Sequence, residues 1–320
     1  MNVSDVFREL EDVINKYGTS GDRTFEYYGI SVDNGQTVGS KLYRRLSDIV
    51  DENELSSNAF KFKRIKELIE YVTIYDFSSR KDNSGRTVYR IVFAPNKSVT
   101  ENMKEFSRLL EICSSEQYSE LLRNIFKCYN RYFVSGRSPL LKCGIEFNEQ
   151  CDVVDMKIYF SLKRYDKRND EYGRRYRYED CRELLEAIMQ SLGMSSFIDD
   201  FSRIAAETEA SEYFPFFIGI NLSAERVELK IYYDAVYSDF SAEHMLESGI
   251  KLIKTAFADN SSEYEELCKT LSDENIYPEI SAYSHCVPSE ANPAGIWRIY
   301  FTYMGEHFIN AKMDDSSFYY

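Results

Sequence analysis

Hydrophobic and polar residues alternate with a period of two in ten short segments, and these segments come in pairs. The pairs are residues 24–32 with 36–44, 71–78 with 87–93, 141–148 with 154–163, 216–222 with 226–236, and 279–285 with 296–303. Such alternation is the mark of a strand with one face buried. Asp33-Asn34-Gly35 lies in the first gap and Asp82-Asn83-Ser84-Gly85 in the second. Asn and Gly tolerate the positive φ angles that tight hairpins need. Five hairpins, hence ten strands, are predicted.

The period lengthens to 3.6 outside these pairs. Helices are predicted over residues 3–17, 60–69, 100–113, 116–134, 178–192, 196–208, 242–258 and 263–271, with Ser241 placed to cap the seventh. The order is helix, helix, strand, strand, repeated, with the first two units abbreviated on the helical side. No linker rich in Pro, Gly or Ser interrupts it. Five similar units over residues 1–320 predict one domain, whose tail at 305–320 either caps one end or is disordered.

The second strand of each hairpin carries a basic residue, an aliphatic one, and usually tyrosine. These are Lys41-Leu42-Tyr43, Arg90-Ile91-Val92, Lys157-Ile158-Tyr159, Lys230-Ile231-Tyr232 and Arg298-Ile299-Tyr300. Side chains two apart on a strand share a face, so cation and phenol point the same way. The other face is apolar, as in Met156, Ile158 and Phe160, or Trp297, Ile299 and Phe301. With 39 Lys plus Arg and 26 Tyr in 320 residues, a random pair of positions matches about once in a hundred, whereas four of five strands match.

The fold class expected is α+β: a closed antiparallel barrel of ten strands, ringed by helices on its apolar outer face. Ten strands enclose space for a ligand. Cations converging there would repel one another by about 4 kcal/mol per pair at 4 Å and an effective dielectric near 20. A multiply charged anion relieves that repulsion, and a diphosphate fits. Tyrosines beside it suit an allylic diphosphate, because their ring faces attract a carbocation and exclude water. The cations stabilise the departing diphosphate.

Composition narrows the alternatives. A net charge of −14 argues against nucleic acid as a partner. No apolar run approaches the ~18 residues of a membrane span, and the first residues form no signal core, so a cytoplasmic location is expected. The seven cysteines include no CxxC pair and read as reduced thiols, while His244, His285 and His307 show no metal-ligand spacing. No metal site is predicted. The basic run at residues 163–177 reads as a solvated loop or as a rim contacting an acceptor.

The basic-x-Tyr strands, together with five hairpins interleaved with helices, resemble the aromatic prenyltransferases of the ααββ barrel type. Lys157-Ile158-Tyr159 and Lys230-Ile231-Tyr232 are similar to the Lys-x-Tyr pairs of the dimethylallyltryptophan synthase branch, and residues 143–165 resemble strands of the cyanobactin enzymes. The resemblance implies transfer of a dimethylallyl or longer prenyl group from an allylic diphosphate to an indole, tryptophan or phenol. It assigns diphosphate binding to Lys41, Arg90, Lys157, Lys230 and Arg298, and shielding of the allyl cation to Tyr43, Tyr159, Tyr232 and Tyr300. Glu26 matches the family's first-strand glutamate, which takes the acceptor's proton, and Glu279 is the second candidate base. Lys41 stands where magnesium-binding relatives have aspartate, so no cofactor is required and Mg2+ is at most stimulatory. The partners expected are an allylic diphosphate and an aromatic small molecule or peptide, with no membrane or nucleic acid, acting on a monomer. A peptide prenyltransferase of the cyanobactin type and a non-catalytic barrel holding an anionic lipid or nucleotide are the competing readings.

Overall fold

The computed structural model describes residues 27–33, 36–44, 73–81, 87–94, 104, 118–132, 141–148, 153–161, 178–223, 226–235, 242–256, 261–273, 275–287 and 295–303. The expected helices at 3–17 and 60–69, the basic run at 163–177 and the tail at 305–320 lie outside the described residues, as does nearly all of the expected helix at 100–113.

All ten strands are present: β1 Tyr27–Asp33, β2 Gln36–Arg44, β3 Thr73–Lys81, β4 Thr87–Ala94, β5 Leu141–Asn148, β6 Val153–Ser161, β7 Tyr213–Leu222, β8 Val227–Ala235, β9 Ile276–Val287 and β10 Ile296–Tyr303. Helix α1 (Ser119–Tyr132) precedes the third hairpin, α2 (Tyr178–Ser191) and α3 (Ile198–Glu209) the fourth, and α4 (Ala242–Ala256) and α5 (Ser261–Asp273) the fifth. The architecture is α+β, a curled antiparallel sheet with helices against one face. Every strand pairs with its chain neighbours, and β1 pairs with β2 on one side and β10 on the other.

Helices and sheet meet through the apolar strand faces. Met156, Ile158, Phe160, Leu229, Ile231, Tyr233, Trp297, Ile299 and Phe301 join one buried cluster with Leu184, Ile188, Phe201, Leu252 and Leu267 of the helices. Each such side chain contributes about 1.5–3 kcal/mol by leaving water. At Gly249 on α4, a Cβ would stand 2.4 Å from Pro278 Cγ, so glycine lets this helix lie close on β9.

The fourth and fifth units repeat in detail. Each helix leads to its strand through one residue in the left-handed region, Glu212 (φ 65°) before β7 and Asn275 (φ 60°) before β9. Both strands then reach a proline and a bulge, between Pro215 and Phe217 and between Pro278 and Ile280. Alternation alone places these strand starts at residues 216 and 279, later than the structure does. Proline lacks the N–H of a regular ladder, and the bulge absorbs that gap while pairing continues beyond it. Glu279 therefore sits at the bulge, three residues inside β9, and does not open it.

Candidate functional site

Residues paired across strands share a face, so the register shows which residues meet. Lys157 pairs with Gly144 and Asn221, Lys230 with Gly219 and Ser284, and Arg298 with Ala282. Arg90 pairs with Ser78 and Glu146, while Lys41 pairs with Gly29. In every hairpin the basic residue thus faces Gly, Ala or Ser. A small residue stands opposite each basic position, a pattern visible only once the register is known.

The face turned away from the described helices is layered along the strands, one layer every two residues or about 6.7 Å. The middle layer holds Arg90, Lys157, Lys230 and Arg298. Lys157 and Lys230 are buried, with 8% and 2% of their side chains exposed. On one side lies an aromatic layer. Tyr232 stands 5.9 Å from Tyr159 and 6.3 Å from Tyr300 between ring centroids, and Arg90 Nη1 donates to the Tyr159 hydroxyl at 3.1 Å. A Cβ at Gly219 would meet Tyr232 Cε2 at 2.8 Å and Tyr159 at 3.4 Å, so glycine there lets the two rings close up.

On the other side is a layer of carboxylates. Glu146 accepts from Lys157 Nζ at 2.7 Å, and Asp155 lies 3.9 Å from the same ammonium. Glu228 is 3.1 Å from Lys230 Nζ and accepts from Ser284 Oγ at 2.9 Å and from Asn221 Nδ2. All three carboxylates are buried. They balance part of the cationic charge from within. Sequence does hold the signal: an acid stands two residues before lysine in Asp155-Met156-Lys157 and Glu228-Leu229-Lys230. Reading each strand only forward, from cation to tyrosine, passes over it.

Protonation follows from these neighbours. Burial opposes charge on Lys157, but Glu146 and then Asp155 outweigh it and raise its pKa above the ordinary lysine value. Lys230 goes the other way, down to about 7: burial and then Arg298 disfavour its charge more than Glu228 favours it. For Glu228, burial is again the largest effect, yet Lys230, Arg298 and Lys157 together hold its carboxyl well below the usual range. Asp155 is raised, first by burial and also by Glu146 and Glu228. Burial keeps the Tyr159 phenol protonated despite Arg90 and Lys157.

The structure brings together Arg90, Lys157, Lys230, Arg298, Tyr159, Tyr232 and Tyr300. Lys41 and Tyr43 hold matching register positions on β2, opposite Gly29 and Tyr27, with side chains outside the described residues. The side chain of Glu279 and all of Glu26 likewise lie outside them. Among the described residues, no cluster of His, Cys, Asp and Glu is arranged to hold a metal ion, and no helix is long and apolar enough to cross a membrane.

Against solved structures, the chain superposes on that of NotF prenyltransferase with a TM-score of 0.57 and 9% identity, covering 87% of this chain and 80% of that one. The two chains share a fold, a curled antiparallel sheet with helices against one face. NotF in complex with brevianamide F and DMSPP gives a TM-score of 0.58 at 10% identity, over 89% of this chain and 81% of that one. No family model and no curated protein matches the sequence. At 9–10% identity the likeness is one of fold, and about nine aligned residues in ten differ.

Proposed function

We propose that this single-domain protein is an aromatic prenyltransferase whose sheet closes as a ten-stranded barrel around its substrates. Two observations support closure: β1 pairs on both edges, and Lys157 and Lys230 are buried although none of the described helices packs on their face. The observation that carries the function is the cation layer lying directly beside the tyrosine layer, about 6.7 Å along the strands. An allylic diphosphate spans the two. Its phosphates lie against Arg90, Lys157, Lys230 and Arg298, with Lys41 completing the set. Its allyl group lies against Tyr159, Tyr232 and Tyr300, with Tyr43 alongside.

Ionisation breaks the allylic C–O bond, and its electron pair leaves with the diphosphate. The cations stabilise that charge as it develops, and the phenol rings hold the carbocation away from water. An electron-rich ring of the acceptor then bonds to the allyl carbon and loses a proton to a base, for which Glu26 and Glu279 remain the candidates. No metal is needed where the protein supplies the cations. NotF, bound to brevianamide F and DMSPP, shares the fold, which supports an indole-containing acceptor here. The protein acts as a cytoplasmic monomer in this reading.

Incubation with dimethylallyl diphosphate and tryptophan, a tyrosine-containing peptide or an indole diketopiperazine, with and without EDTA, is the test. Expected are release of diphosphate and a product heavier by one dimethylallyl group, with turnover surviving EDTA. Binding of the diphosphate with no release under any acceptor would establish the non-catalytic alternative instead.

A further inference from the structure

Glu228 has no part in the proposed reaction. It is an anion placed inside a site for anions, and it is 2% exposed. Three strands converge on it: Asn221 from β7, Lys230 from its own strand β8 and Ser284 from β9 each direct a polar hydrogen at its carboxylate. One oxygen takes Ser284; the other takes Asn221 and Lys230. Three donors hold it and nearby cations keep its carboxyl well below the usual range, so Glu228 is a weak base for a substrate proton. A carboxylate held this firmly in the interior, where each lost partner is costly, has a positional task.

Its neighbourhood defines the task. Facing Lys230 are Gly219 and Asn221 of β7, Ser284 and Cys286 of β9, Arg298 of β10, and Lys157 and Asp155 of β6. Among these, two neighbours are cations that repel an ammonium, and Glu228 is the carboxylate in direct contact. Lys157 differs in having both Glu146 and Asp155 within 4 Å. Of these two lysines, Lys230 has a single carboxylate in contact with its ammonium.

We propose that Glu228 is a positioning residue for diphosphate binding: it fixes the Lys230 ammonium within the cation layer and favours its protonated form when the site is empty. This rests on the proposed diphosphate site. Removal of one negative charge from an anion site ordinarily strengthens anion binding; here it weakens it, because the charge lost from Lys230 counts for more.

The test uses inorganic diphosphate as the probe, with affinities measured by titration calorimetry on the full chain at pH 6 and pH 8. Lys230 titrates near pH 7 with Glu228 in place. In Glu228→Gln, a titration point lower by about one pH unit leaves about tenfold less protonated Lys230 at pH 8 but only about twofold less at pH 6. The ratio of variant to wild-type Kd therefore grows with pH, and ligand ionisation cancels because both proteins meet the same ligand at each pH. A ratio that is flat between pH 6 and pH 8, or tighter binding by the variant at pH 8, overturns the proposal. If Glu228→Gln does not fold, Glu228→Asp decides: it keeps the charge but draws it back from the Lys230 ammonium, and a Kd ratio that rises with pH is again required. Lys230→Met separates the two levels of inference. Unchanged affinity in Lys230→Met defeats the diphosphate site itself, whereas weakened affinity there with unchanged Glu228→Gln defeats only the role of Glu228.

Discussion

Replacing Lys157 with methionine tests the charge balance of the inner face. The ammonium lies 2.7 Å from Glu146, which is fully buried, and 3.9 Å from Asp155. Methionine preserves much of the side-chain volume but leaves Glu146 buried without this cation. Removing the contacting counter-ion of a buried charge costs about 3–5 kcal/mol. Glu146→Gln added to Lys157→Met removes that charge, so the double variant recovers most of the lost stability. Diphosphate binding behaves differently. Loss of one charge-assisted hydrogen bond, about 1.5–3 kcal/mol, weakens affinity about 10–150-fold. Neutralising Glu146 restores no donor to the ligand, so the double variant stays weak. Urea denaturation measures the stability and calorimetry with diphosphate the affinity. A single variant as stable as the wild type, or a double variant restored in both properties, would refute the reasoning.

Three further outcomes follow from the same geometry. Tyr232→Leu removes the ring between Tyr159 and Tyr300; at about 0.5–2 kcal/mol per ring, turnover falls about 2–30-fold and free prenyl alcohol rises as water reaches the cation, while Tyr232→Phe behaves like the wild type in product analysis. Gly219→Ala forces a Cβ to within 2.8 Å of Tyr232, costing about 1–3 kcal/mol in chemical denaturation and disturbing the same ring pair. Lys230 titrates near 7 in the folded protein and about 10.4 unfolded, so between these values the unfolded chain binds more protons and this residue's destabilising contribution fades as pH rises. Urea midpoints from pH 7 to 9 accordingly rise less steeply in Lys230→Met than in the wild type; parallel slopes would contradict the assignment.

Several features of this protein are dictated by local order along the chain. Period-two alternation reveals each hairpin, because a strand with one face under helices must place apolar residues at every second position. The repeated basic-x-Tyr of β6, β8 and β10 marks the cations and phenols that share the opposite face, since two residues along a strand return a side chain to the same side. What stands opposite each cation is decided by register, which depends on bulges and turns that propensity does not specify. Gly144, Gly219 and Ala282 acquire meaning only through that pairing. Glu228 is similar: in sequence it is a charged residue beside a hairpin turn, of the kind that usually meets water. Only when β7, β8 and β9 bring Asn221, Lys230 and Ser284 around it does burial convert that surface-like carboxylate into a fixed counter-ion. The strand starts at Tyr213 and Ile276 were hidden for a related reason: Pro215 and Pro278 read as breaks locally, and the bulges that accommodate them form only against β8 and β10. Local periodicity chooses which face of a strand is buried, whereas pairing between distant strands chooses each side chain's neighbours, and those neighbours set its charge.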